Sequence, residues 1–141
     1  MNKYKLDYII TENKPGKLVN LDINNICKKH NLDFNYNKIF YINDLNSLKS
    51  RGNHSNSNAT EILICLDGQF DIYLYDGINN TEYKDTIFKD EYIFIDKDVW
   101  IEFNNFKNAV ILVFVDIDYV INKKSVYSKE KYLENIKMEN H

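Results

Sequence analysis

The stretch RGNHSNSNATEILICLDGQFDIYLYDG, Arg51–Gly77, decides how this chain is read. A Gly leads to a lone His, and two apolar runs follow around Asp67-Gly68. In the second run Phe70, Ile72 and Leu74 alternate with Asp71, Tyr73 and Tyr75. That period of two belongs to a strand with one buried face. Asp-Gly suits a tight turn, because Gly accepts positive φ without a Cβ clash. The stretch therefore predicts a central hairpin, with His54 at its entrance and a polar loop leading into it.

Working outward, strand-like segments recur at roughly ten-residue spacing. KYKLDYII and KLVNLDI flank the turn signal TENKPG, which holds the single Pro. NKIFYIN, TEYKDTIF, EYIFI, VWIEFNNF and NAVILVFVDI continue the rhythm. NNICKKHN reads as a short helix or an irregular crossing. Near the end, Ser128 is a suitable N-cap, and Tyr132, Leu133 and Ile136 form a modest helical stripe. The expectation is an all-β sandwich or barrel, with one short C-terminal helix that packs rather than acts.

Composition bounds the rest. The chain has 141 residues, 44% of them apolar and 14% aromatic, which suits a single domain over residues 1–141. Only four Gly are present, too few for a Gly-rich phosphate loop elsewhere. The net charge is −3 with both signs mixed, so no basic track for nucleic acid emerges. MNKYKLDYII lacks a signal-peptide core, and no run is long enough to cross a membrane. The expectation is a cytoplasmic protein without a membrane partner. Cys27 and Cys65 are too few for a disulfide framework, and Cys65 sits in an apolar run as a small hydrophobe.

Three His residues, His30, His54 and His141, are too few and too scattered for a multi-histidine metal site. No metal and no cofactor are expected. His54 is the residue best matched to proton transfer at neutral pH; its bland alternative is a loop His bonded locally. Glu61 and Glu102 lie in apolar strands, where a carboxylate either faces inward as a base or anchor, or faces solvent. Trp100 and the tyrosines, Tyr41 among them, can stack on a base or sugar, or simply fill the core and rim.

The order of these motifs, KIFYIND, then RGNHSNSNATEILICLDGQFDIYLYDG, then KDVWIEFNNF, resembles the WxcM-like cupins. Within them it is most similar to the TDP-4-keto-6-deoxyglucose 3,4-ketoisomerases, from about Lys14 to Ile136. The resemblance implies a cupin-type jelly-roll enzyme without metal, a homodimer with exchanged N-terminal strands. It implies a nucleotide-linked 4-keto-6-deoxy sugar as substrate. The keto group moves from C4 to C3 by proton transfer, and the product feeds deoxyaminosugars of surface polysaccharides.

Carried over, His54 matches the first His of the family's His-x-His and takes the proton-transfer role, with Tyr41 from the neighbouring strand. Whether Phe40 or Tyr41 faces the site stays open. Arg51, Asn56, Glu61, Trp100 and Glu102 become substrate-binding candidates. Three departures stand out: Asn56 replaces the second His, Ile101 replaces a His after the Trp, and Pro15-Gly16 replaces an Arg-Gly pair. They leave open a second reading, a non-catalytic sugar-nucleotide-binding cupin with a degenerate site.

Overall fold

The computed structural model describes residues 1–139, so His141 lies outside the described residues. In chain order the elements are β1 (Lys3–Lys5), β2 (Tyr8–Ile9), β3 (Leu18–Val19), α1 (Ile23–Lys29), β4 (Lys38–Leu45) and β5 (Arg51–Ser55). There follow β6 (Ala59–Asp76), β7 (Thr81–Phe88), β8 (Glu91–Ile95), β9 (Val99–Ile117) and α2 (Lys129–Glu139).

Two long antiparallel strands, β6 and β9, run side by side and organise everything else. The first half of β6 pairs with β8, and its second half pairs with β7. The second half of β9 pairs with β4, and its first half pairs with β5. Two sheets result, sharing β6 and β9: one in the order β1-β8-β6-β9-β4, the other β7-β6-β9-β5. This is an all-β, cupin-type jelly roll with a short C-terminal helix. β4 and β5 do not pair with each other, so the roll is open along that edge.

Asp67-Gly68 is not the hairpin turn that its chemistry suggested. It is a bend inside the single strand β6, where the register against β9 slips on both sides of Asp67. The positive φ is real, at +65° for Gly68, and here it serves a bulge that turns β6 from one sheet into the other. A Cβ on Gly68 would lie 2.2 Å from the Lys107 carbonyl oxygen, so β9 follows β6 closely through the bend. Likewise, VWIEFNNF and NAVILVFVDI are halves of one strand, β9.

The pattern of apolar residues follows from what covers each half. In the second half of β6, Phe70, Ile72 and Leu74 face the core between the sheets, and the alternate residues face outward. In the first half both faces are covered, so the run does not alternate. Leu63 and Cys65 join the central core, while Ile62 and Ile64 pack with Ile23, Ile26 and Cys27 of α1. α1 is capped by Asp22, whose carboxylate accepts from the Asn25 backbone N–H at 3.1 Å.

α2 covers the outer face of the second sheet. Its Tyr132 is buried, Ile136 is half-buried, and Leu133 stays largely in solvent. The Tyr132 hydroxyl donates to the Asp98 carbonyl at 2.6 Å and accepts from the Gly77 N–H at 2.8 Å. Before α2, the chain crosses β5 and exchanges two backbone hydrogen bonds with it, between Ser55 and Val126. No helix among the described residues is long and apolar enough to cross a membrane. β1 lies on β8 of its own chain, and the β2–β3 hairpin leaves Tyr8, Ile9 and Leu18 exposed.

Candidate active site

The open edge between β4 and β5 holds a cavity of about 370 Å³. Four strands line it: β4 with Phe40, β5 with Arg51 and His54, β6 with Glu61 and β9 with Phe103. Its floor is the apolar core.

What brings Arg51 and His54 together is a bulge. On a regular strand, residues three apart face opposite sides. Here the register slips between Gly52 and His54, so Arg51 opposes Phe103 and His54 opposes Ile101. Phe103 and Ile101 both point into the core, and cross-strand partners share a face. Gly52 at φ +87° and Asn53 at φ +50° absorb the extra residue. Thus Arg51-Gly-x-His54, read from sequence as loop, is strand β5 with a built-in kink.

Glu61 reaches the same cavity from β6. It is paired with Val115 and Ile95, two core residues, which sets its side chain inward. The Asn56 side-chain amide donates to Glu61 Oε1 at 2.7 Å. Burial pushes the Glu61 carboxyl above its ordinary value, while the His54 charge, the Asn56 hydrogen bond and the Lys38 charge pull it down. The net result is upward, so the proton is held to higher pH than on an exposed glutamate.

The register of β4 answers which of its aromatics faces the site. Phe40 opposes Val113, a core residue, and lines the cavity; Tyr41 opposes Leu112 on the other face and is 65% exposed. Trp100 and Glu102 also lie away from the cavity, because inward positions on this part of β9 are Ile101 and Phe103. Trp100 is 3% exposed, packed on Tyr132 of α2 at 5.9 Å between ring centres, and its indole Nε1 has no hydrogen-bond partner among the described residues. Glu102 opens instead onto the outer face of the second sheet, beside Tyr73 and Lys129. Ile101, where the resemblance placed a histidine, is 1% exposed in the core.

One neighbour of His54 was missed from sequence. The Tyr127 ring lies 6.0 Å from the imidazole, centre to centre, carried there by the Ser55–Val126 pairing. Nothing in the sequence near Tyr127 signals this, because the contact depends on the crossing strap. Among the described residues, no group of three or more His, Cys, Asp or Glu side chains is arranged to hold a metal.

The sequence that builds this cavity, with its imidazole, carboxyl and guanidinium, also matches a known family profile over most of its length. The profile described as "FdtA: WxcM-like, C-terminal" matches residues 4–137. The chain belongs to the WxcM-like family.

Among solved structures, WlaRA, a TDP-fucose-3,4-ketoisomerase from Campylobacter jejuni, is 30% identical with a TM-score of 0.71, each chain covered to 96%. WlaRB, a TDP-quinovose 3,4-ketoisomerase from the same organism, is 26% identical with a TM-score of 0.74, over 95% of this chain and 97% of that one. A histidine-to-asparagine variant of the 3,4-ketoisomerase QdtA from Thermoanaerobacterium thermosaccharolyticum, in complex with TDP-4-keto-6-deoxyglucose, shares the fold at 22% identity. Its TM-score is 0.74, over 97% of this chain and 94% of that one. No curated protein sequence matches the chain.

Proposed function

We propose that this WxcM-like protein is a sugar-nucleotide 3,4-ketoisomerase acting on a TDP-linked 4-keto-6-deoxyhexose, in deoxyaminosugar synthesis for surface polysaccharides. The observation that carries the reading is the Gly52-Asn53 bulge, which turns Arg51 and His54 into one cavity. A cavity of about 370 Å³ is near the lower end of small-molecule sites. It suits the sugar ring, with the nucleotide lying along the mouth past Arg51 and Tyr127.

The chemistry asks little more than a placed base. The C4 carbonyl acidifies the proton on C3. His54 takes that proton, an enediolate forms across C3 and C4, and the proton returns at C4. The Arg51 guanidinium stabilises negative charge, on the enediolate or on the diphosphate. Tyr41, Trp100 and Glu102 fall outside this mechanism by their placement, and Asn56 acts through Glu61.

The test is incubation with TDP-4-keto-6-deoxyglucose in heavy water. Deuterium should appear at C3 or C4, and His54→Asn should slow its appearance by about 10²–10⁴-fold. TDP should still raise the melting temperature of that variant. Absence of any melting shift with TDP, UDP, GDP or CMP sugars would end the proposal.

Asn56 in place of a second imidazole favours the alternative, a binding protein with a lapsed site. Under that alternative, wild type and His54→Asn bind TDP and are equally inert.

A further inference from the structure

An isomerisation of this kind moves two protons, and His54 accounts for one. The carbon-bound proton leaves C3 and ends on C4. The hydroxyl proton leaves O3 and ends on O4. Arg51 cannot lend a proton near neutrality. Of the ionisable side chains lining the cavity, Arg51, His54 and Glu61, only Glu61 is left for the second transfer.

Resting on the isomerase reading, we propose that Glu61 is the second proton carrier of the site, moving the hydroxyl proton from O3 to O4 while His54 moves the carbon proton from C3 to C4. The step balances. Protonated Glu61 gives its proton to O4 as neutral His54 takes the one on C3, and the C3–H electron pair becomes the C3–C4 double bond. The carboxylate then takes the proton from O3. The O3 electron pair forms the C3 carbonyl, and the imidazolium returns its proton to C4. Both side chains end as they began.

The structure favours this role on three counts. Glu61 stands at an inward position between Ile95 and Val115, where a carboxyl is costly to keep and an apolar residue would pack. One of its oxygens is held by Asn56 at 2.7 Å, and the other has no hydrogen-bond partner among the described residues. Asn56 itself is oriented: its carbonyl oxygen lies 3.5 Å from the Ser125 hydroxyl, which leaves the amide nitrogen for Glu61. Asn56, where the resemblance placed a histidine, is then a positioning residue for the carboxyl that does the second transfer.

The charged groups around Glu61 are His54 and Arg51 from β5 and Lys38 from β4; its partners across the strands on β8 and β9 are the apolar Ile95 and Val115. A carboxyl so placed keeps its proton to higher pH than an exposed one.

The experiment is a pH profile of kcat/KM with TDP-4-keto-6-deoxyglucose. Wild type should lose activity on a falling limb as rising pH takes the proton from Glu61. Glu61→Gln keeps the shape and the hydrogen bond but cannot transfer a proton. It should cut isomerisation by about 10²–10⁴-fold, remove the falling limb, and leave the TDP melting shift intact. Asn56→Ala removes a bond that favours the carboxylate, so its falling limb should move to higher pH. That variant also serves if Glu61→Gln does not fold. Glu61→Gln within threefold of wild type, or Asn56→Ala with an unmoved limb, overturns the role of Glu61 alone. Wild type inert toward this substrate overturns the isomerase reading and this inference together.

Discussion

Replacing Tyr132 by Phe removes a single oxygen atom and tests how α2 is held to the sheets. That oxygen accepts from the Gly77 N–H at 2.8 Å and donates to the Asp98 carbonyl at 2.6 Å, with the Tyr75 carbonyl at 3.1 Å. Burial pushes its pKa up to about 12, so the hydroxyl stays a donor across the working pH range. Phe fills the same space, and what is lost is hydrogen bonding. The Gly77 N–H and the Asp98 carbonyl are left with no obvious replacement. An orphaned buried group costs about 1–3 kcal/mol; the two together, the carbonyl being the cheaper to orphan, should cost about 2–4 kcal/mol. At about 2.1 cal/mol/K of unfolding entropy per residue, 141 residues give roughly 0.3 kcal/mol per kelvin. The melting temperature, followed by circular dichroism at fixed concentration, should therefore fall by about 7–13 °C. A fall of less than about 2 °C would refute the view that this hydroxyl ties α2 to the ends of β6 and β9.

Two further outcomes are expected. Gly68→Ala should destabilise by about 3–5 kcal/mol, since the new Cβ meets the β9 backbone at 2.2 Å at a φ of +65°; urea denaturation within about 1 kcal/mol of wild type would contradict this. The protein should be a homodimer that buries the exposed Tyr8, Ile9 and Leu18 of the β2–β3 hairpin, with or without exchange of N-terminal strands; light scattering at micromolar concentration giving 16.8 kDa would contradict it.

The legible part of the fold was the part with one wet face. Residues Phe70 to Tyr75 alternate because solvent lies on one side, and period two is then visible without a partner. The run Glu61 to Leu66 hides its direction, since α1 covers the face opposite the core. Asp67-Gly68 was misread because a tight turn and a bend ask for the same backbone angle. What separates them is β9, far along the chain, continuing beside both halves of β6. The site followed the same rule. His54 and Arg51 were legible by residue type, but only the bulge shows that they share a face. Which way Trp100 and Glu102 face stayed open in the sequence, because inward and outward on β9 differ by one residue and that parity is fixed by pairing with β5. Tyr127 comes to His54 on a strap whose course no local pattern encodes.

The last strand of the chain is also the one on which two others depend. Among the strands described, β4 and β5 pair with β9 alone, and both precede it. During synthesis, at about 5–20 residues per second, they leave the ribosome seconds before their partner exists. β6, β7 and β8 can pair among themselves in that interval, but the half of the molecule carrying Phe40, Arg51 and His54 cannot. The pocket therefore cannot be complete before Val99–Ile117 joins the strands that precede it. Until then β4 is a bare edge carrying Ile39, Phe40 and Tyr41, open to pairing with another chain.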